Sequence, residues 1–191
     1  MDDKPPNGNF WLRTLTALAI ALVTVVLFFP NCGTTEPPGK STAKTSALCL
    51  VMALKAYYTE YGKWPDFTGD GLFLDEKRQA QLLQMLCGKD ERNNSRKIVF
   101  FEGRTAQQRR WFGEHYGGGF HPKTGAYLDP WGNLYCIAID SDYDEEIANP
   151  YRDDPPIHAQ AIVWSLGKDG QQGAPANPRT AEGSDDVTSW R

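Results

Sequence analysis

The sequence predicts an α+β protein with an N-terminal transmembrane helix and a long amphipathic helix packed on a small antiparallel sheet with long loops. Three observations support this class. Residues 14–29 contain no charged side chain, and residues 43–61 repeat apolar side chains at helical spacing. Two short runs rich in β-branched and aromatic residues, 135–139 and 161–166, follow late in the chain. A length of 191 residues accommodates one such domain and an anchor.

The N-terminal region is predicted to hold a membrane anchor and a linker. The apolar span over residues 10–29 is broken only by Arg13, and about 20 helical residues cover a hydrocarbon layer of roughly 30 Å. The alternative is a cleaved signal peptide, but the span does not end in an Ala-x-Ala site. The predicted organisation is a cytoplasmic N-terminus (1–9), a transmembrane anchor (10–29), a proline-containing linker (30–42) and a globular domain (43–191).

The long helix is predicted from its apolar spacing and its end signals. Ser41 or Thr42 can cap a helix that starts near Ala43. Gly62 provides a C-terminal stop after Tyr61, and the proline at position 65 prevents the helix from resuming.

The remaining elements are predicted to be short. Asp75 can cap a helix over residues 76–87, and residues 98–101 have the composition of a short buried strand or core segment. The glycine-rich stretch 103–125 is predicted to be a long loop. The runs 135–139 and 161–166 are predicted to pair as antiparallel strands.

Charge and motif content exclude two classes of function. A formal net charge of -4 provides no positive field for binding nucleic acid. The three histidines, His115, His121 and His158, show no metalloprotease spacing, and the chain has no nucleophile elbow or phosphate loop. We therefore expect no catalytic residues and no enzymatic activity.

The C-terminal loop, residues 167–186, carries the most informative acidic residues. Asp169 lies near one end, and Asp185 and Asp186 lie at the other. A loop of this length needs a tie or stays solvated. Calcium takes 6–8 oxygens at about 2.3–2.6 Å and accepts irregular geometry, so these carboxylates can chelate it across the loop. The alternative is an acidic loop in solvent.

A second acidic run, residues 140–146, begins with the alternating carboxylates of an EF-hand loop. Glu145 stands where such a loop needs glycine, and Tyr151 stands where it needs a bidentate glutamate. We therefore predict a solvated turn without a metal.

The tetrapeptide Asp129-Pro130-Trp131-Gly132 is predicted to be a turn that leads into the first long strand. Trp131 should then fold onto the sheet or the long helix. Of the four cysteines, Cys87 and Cys136 are the only pair considered for a disulfide, and the alternative is that they are small buried hydrophobes.

Four segments, taken in order, resemble the G-type (major) pseudopilins of type II secretion systems. They are YTEYGKWP (58–65), YLDPWGNLY (127–135), SLGKDG (165–170) and SDDV (184–187). The resemblance covers about residues 43–65 and 125–190, and it implies a pilin-like head that serves as a filament subunit.

The resemblance also implies a calcium ion in the C-terminal loop. Carried over residue by residue, its ligands would be the Leu166 carbonyl, Asp169 and Asp186. Ser184 occupies the position of the family's first aspartate, and Asp185 can turn in to replace it.

The N-terminus departs from the family's pattern. A pseudopilin leader ends in glycine followed by phenylalanine, with glutamate at the fifth mature position. Here Gly8 is followed by Asn9, the fifth residue after Gly8 is Arg13, and the apolar span contains no glutamate. The prepilin motif is therefore degenerate.

The expected function is that of a membrane-anchored, pseudopilin-like structural protein in or beside a type II secretion pseudopilus. We expect a single-pass protein of the inner (cytoplasmic) membrane with its head on the periplasmic or extracytoplasmic side. Its partners would be other pseudopilins, secretion-apparatus proteins and copies of itself in a homo-oligomer. The alternative is an anchored extracytoplasmic binding module that reuses the head without polymerising. An anchored hydrolase is the least favoured hypothesis.

Overall fold

One long helix organises the fold by packing its apolar face on the central strand of a three-stranded sheet. The computed structural model describes residues 38–65, 75–108, 116–151, 154–174, 179, 181–182 and 184–190. The predicted cytoplasmic segment 1–9 and anchor 10–29 lie outside these residues. Within the described ranges, neither helix combines the length and apolarity needed to cross a membrane.

The long helix, α1 (Pro38–Tyr61), begins five residues before the predicted start at position 43. The prediction that residues 38–42 belong to a linker was therefore wrong. Proline is tolerated in the first turn of a helix, where its missing N–H would have no partner. The ammonium groups of Lys40 and Lys44 donate to the Ser184 and Thr188 carbonyls at 3.5 and 2.6 Å, which ties this first turn to the C-terminal segment.

The predicted end and buried face of α1 are confirmed. The helix stops at Tyr61, and Gly62 takes a positive φ of 69° that favours glycine. The residues of α1 that join the main core cluster recur at helical spacing: Ala47, Leu50, Ala53, Leu54 and Tyr57.

The second helix, α2 (Glu76–Leu86), is capped as predicted by Asp75, whose carboxylate accepts from the Arg78 amide at 2.8 Å. A buried side chain, Gln79, joins α2 to the strands. Its amide donates to the Tyr135 carbonyl at 2.6 Å, and its oxygen accepts from the Tyr127 amide at 3.2 Å. Both polar ends of this buried group are therefore satisfied.

The described strands are all short. They are β1 (Gln107–Gln108), β2 (Tyr116–Gly117), β3 (Gly119–Phe120), β4 (Tyr127–Leu128), β5 (Cys136–Ile139), β6 (Glu146–Ile147), β7 (Ile157–His158), β8 (Ala161–Ser165) and β9 (Val187–Thr188). The central sheet has the order β5-β8-β9 and is antiparallel throughout, with Ile137 opposite Val163 and Trp164 opposite Thr188. The predicted pairing of the two long runs is confirmed.

The structure decides two expectations for the middle of the chain. Residues 98–101 form a core segment and not a strand: Phe101 belongs to the main core cluster, and the Phe100 and Phe101 amides donate to the Leu86 carbonyl at the end of α2. The predicted loop 103–125 contains strand residues: β1 pairs with β2, and β3 pairs with β4. Gly119 also allows a very close approach to the backbone at Arg104. A Cβ on Gly119 would lie 2.4 Å from the Arg104 carbonyl oxygen.

Strand β8 is buried on both faces, which places the C-terminal loop. Ala161 and Val163 join the core cluster that contains α1, whereas Ile162 and Trp164 join a second cluster. Trp190 packs edge-on against Trp164 in that second cluster, at a ring-centroid separation of 5.8 Å. Trp190, which follows β9, therefore covers part of the face of β8 that points away from α1.

Candidate functional site

The two ends of the C-terminal loop meet through the carboxylate of Asp185. Its Oδ2 accepts hydrogen bonds from the Lys168 and Asp169 amides at 2.6 and 3.4 Å. Gly167 makes this approach feasible: it has a φ of +69°, and a Cβ there would lie 2.5 Å from Cγ of Asp185. Only glycine fits this position without displacing the carboxylate.

Asp186 holds the loop at a second point. Its Oδ2 accepts from the Tyr151 hydroxyl at 2.6 Å and from the Gly173 amide at 2.7 Å. Its Oδ1 is buried, and no donor among the described residues reaches it. Burial raises the pKa of Asp186, and the negative charges of Asp185 and Asp169 raise it further. A buried carboxylate oxygen without a donor, close to two other carboxylates, is an environment that a cation would stabilise.

The other predicted ligands are Leu166, Asp169 and Ser184, and the side-chain hydrogen bonds of the last two join residues that are close in the chain. Leu166 is half-buried against the second core cluster. Asp169 is exposed, and its Oδ1 accepts from the Gln171 amide at 2.9 Å. The Ser184 hydroxyl donates to the Ala181 carbonyl at 2.8 Å and accepts from the Asp186 amide at 3.3 Å. Carboxylate-to-amide bonds thus bring the ends of the loop together.

In the described part of the chain, one group of three acidic side chains has carboxylate oxygens within 4.8 Å of one another, and this group lies outside the C-terminal loop. It consists of Asp140, Asp142 and Asp144. This run was predicted to hold no metal because Glu145 replaces glycine and Tyr151 replaces the bidentate glutamate, yet Glu145 adopts the left-handed φ of 66° that glycine would supply. The alternating aspartates in the sequence correctly indicated that these three side chains converge. Asp140 is buried, and its two oxygens accept from the Asp144 and Glu145 amides at 3.2 and 3.0 Å.

The start of the C-terminal loop is fixed by the predicted turn at Asp129. This carboxylate is buried; its Oδ1 accepts from the amides of residues 131–133 at 2.8–2.9 Å, and its Oδ2 accepts from the Ser165 hydroxyl at 2.6 Å. Burial raises the pKa of Asp129, while the Ser165 hydrogen bond opposes that rise. The Asn133 side chain then donates to the Gly167 carbonyl at 2.7 Å. Asp129 therefore sets the position of β8 and of the loop behind it.

Trp131, also from this turn, lies on α1. Its ring atoms come within 2.8 Å of the place where a Cβ on Gly39 would stand. This placement confirms one of the two sites predicted for the ring, the long helix.

The cysteines and histidines form no reactive group within the described residues. Cys87 and Cys136 are free thiols, and burial raises the pKa of Cys136 to about 12. His121 accepts from the Thr124 amide at 3.2 Å in its own turn, and exposed His158 lies 3.5 Å from the Glu146 carboxylate. His115 lies outside the described residues.

No protein-family model, characterised protein or solved structure matches this chain. The pseudopilin resemblance therefore rests on the sequence motifs alone. The partners of Asp186, Tyr151 and Gly173, were not predicted, because no motif links either residue to Asp186. Gly167 could have been recognised from the sequence, because it is the glycine that directly follows the predicted strand run 161–166.

Proposed function

We propose that this chain is a membrane-anchored, pseudopilin-like structural protein that acts in or beside a type II secretion pseudopilus. The apolar span 10–29 would anchor it in the inner membrane, with the head on the extracytoplasmic side. The head would present surfaces for other pseudopilins or secretion-apparatus proteins. Support comes from the ordered motifs and from a long helix on a small antiparallel sheet whose last loop folds back on itself.

A calcium ion in the C-terminal loop is part of this proposal, and the buried Oδ1 of Asp186 is the observation that carries it. Asp186 would be the innermost ligand, because its oxygen is already desolvated. Asp169, Asp185, Ser184 and the Leu166 carbonyl would complete the shell. The ion would neutralise neighbouring carboxylates and order the loop, which would give neighbouring subunits a fixed contact surface.

A specific observation favours the alternative, an anchored extracytoplasmic binding module. Filament assembly in this family uses a glutamate in the apolar span that meets the free N-terminal amine of a neighbouring subunit. Here the span contains no glutamate, and Arg13 has the opposite charge. A protein of this kind would hold a partner without polymerising.

Mass spectrometry of the mature N-terminus, on protein isolated from its own membranes, separates the two candidates. A chain that begins at Asn9 or Phe10 would support processing and the pseudopilin function. A chain that begins at Met1 or Asp2 would support the binding module and contradict assembly by the usual route. Cross-linking in intact membranes supplies the complementary readout, because a pseudopilus subunit should be captured beside other pseudopilins.

A further inference from the structure

A small cavity lies beside the C-terminal end of α1, away from the calcium site proposed above. Its volume is about 210 Å³, and its lining combines aromatic rings with basic and amide side chains. The lining residues used below are Tyr57, Tyr61, Lys63, Arg92, Asn93 and Ser95. None of them contributes to the C-terminal loop.

The aromatic wall of this cavity is held rigid from both ends. The Tyr57 and Tyr61 rings lie 4.7 Å apart between centroids. The Tyr57 hydroxyl donates to the Asn93 carbonyl at 3.0 Å, and the Tyr61 hydroxyl donates to the side chain of Asn94 at 2.8 Å. Asn94 is itself fully buried and bonds the Met85 and Ile98 carbonyls, so the wall is formed before any ligand arrives.

Two basic side chains give the cavity its charge. Lys63 and Arg92 are exposed, and neither forms an ion pair with a carboxylate among the described residues. The Asp90 carboxylate accepts from the Arg92 and Asn93 amides and from the Asn93 side chain. The hydrogen bond from the Asn93 side chain lowers the pKa of Asp90 most, and the positive charge of Arg92 lowers it further. In a chain of net charge -4, two such cations at one cavity create a local site for an anion.

The size of the cavity limits the ligand. Pockets for drug-sized molecules are typically about 300–1,000 Å³, so 210 Å³ suits a much smaller group. A planar apolar group can lie along the Tyr61 ring, while a carboxylate at its end meets Lys63 and Arg92. The Ser95 hydroxyl offers the carboxylate a neutral hydrogen-bond donor.

We propose that this cavity, formed by the Tyr57–Tyr61 wall and the Lys63–Arg92 cation pair, binds a small planar carboxylate. The source is either a free aromatic acid or the terminal carboxylate of a peptide that ends in an aromatic residue. Both sources present the same ring and the same charge to the protein.

Ligand-detected NMR titration of the purified full-length protein tests this inference. Benzoate supplies ring and charge, benzamide supplies the ring alone, and acetate supplies the charge alone. Benzoate should bind with a Kd of about 1–10 mM, in line with the affinity of ligands this small. Benzamide and acetate should each bind at least about fivefold more weakly, because each lacks one of the two recognised features.

Charge-removing variants locate the site. Lys63→Gln and Arg92→Gln should each weaken benzoate binding about fivefold, because each removes one partly exposed cation. Lys55→Gln is the matched control: Lys55 is exposed on α1 and does not line the cavity, so its loss should leave the Kd unchanged. All three positions are exposed, so circular dichroism should show unaltered folding.

The outcomes are decisive in both directions. Saturable benzoate binding that Lys63→Gln and Arg92→Gln weaken, and Lys55→Gln does not, supports the site. N-acetylphenylalanine then identifies the source: tighter binding than benzoate indicates a peptide terminus, and weaker binding indicates a free acid. Equal binding of benzoate by all variants, or equal binding of benzoate and benzamide, would overturn the inference.

Discussion

Gly167→Ala tests the closure of the C-terminal loop at its narrowest point. Two costs add at this position. An L-residue at a φ of +69° costs about 1–2 kcal/mol, partly offset by about 0.4–1 kcal/mol from a less flexible unfolded chain. A Cβ would also stand 2.5 Å from Cγ of Asp185, so the carboxylate must leave the Lys168 and Asp169 amides. Hydrogen bonds to a charged group contribute about 1.5–3 kcal/mol.

Gly62→Ala is the matched control, because it separates these two costs. Gly62 has the same φ of +69°, and a Cβ there would meet no atom within 4 Å. The control should therefore lose only the backbone contribution, about 1 kcal/mol. Gly167→Ala should lose roughly 2 kcal/mol more, which corresponds to a Tm lower by about 4–8 °C for a chain of this size.

The assay is equilibrium unfolding of the full-length protein in urea, followed by tryptophan fluorescence in the presence of a chelator. The chelator removes any contribution from bound metal, so the difference reports the carboxylate-to-amide closure alone. The two variants should share the same m-value, since neither changes the surface exposed on unfolding. If Gly167→Ala loses no more free energy of unfolding than Gly62→Ala, the reasoning about Asp185 is refuted.

Three further predictions concern buried polar groups and thiols. Burial raises the pKa of Asp129, so this carboxyl binds a proton more readily in the folded state than in the unfolded state. The free energy of unfolding of the wild type should therefore fall, relative to that of Asp129→Asn, as the pH rises through the folded pKa. Urea unfolding of both proteins between about pH 4 and pH 7 measures this difference. Asn94→Ala should lose about 3–4 kcal/mol in the same assay, because it removes the side-chain donor to the Met85 and Ile98 carbonyls and the acceptor of the Ile98 amide. The Met85 carbonyl keeps the Gly88 amide as a donor, so the loss falls mainly on Ile98. A loss below about 1 kcal/mol would contradict the network. N-ethylmaleimide at neutral pH should modify exposed Cys49 well before Cys136, whose pKa is about 12; equal rates by mass spectrometry would show that Cys136 is accessible.

Most of the fold is predictable because local signals and tertiary packing agree. Apolar spacing over residues 43–61 defines the buried face of α1, and Asp75 caps α2 as its side chain and position indicate. The early start of α1 at Pro38 was not predictable from local signals, because the contact made by its first turn, from Lys40 to the Ser184 carbonyl, joins residues 144 positions apart. Proline alone indicated only a boundary.

The candidate site was predictable in its acidic residues and not in their partners. Asp185 and Asp186 do return to the first half of the loop, but they bind amides there, and no motif indicates Tyr151 as a partner of Asp186. The prediction of a metal-free turn at residues 140–146 relied on residue type at positions 145 and 151. A non-glycine residue held at positive φ by its surroundings is visible only in the structure.

The most direct test of the account is the change in Tm that calcium produces in the full-length protein. Saturating calcium should raise the Tm of wild type by about 5–10 °C over a chelator control, from roughly 2.7 kcal/mol of binding at a hundredfold excess over Kd. Asp186→Asn and Asp169→Ala should abolish this increment, while Asp142→Asn, in the other acidic group, should keep it. Equal melting with calcium and with chelator would contradict the account, as would an increment lost only in Asp142→Asn.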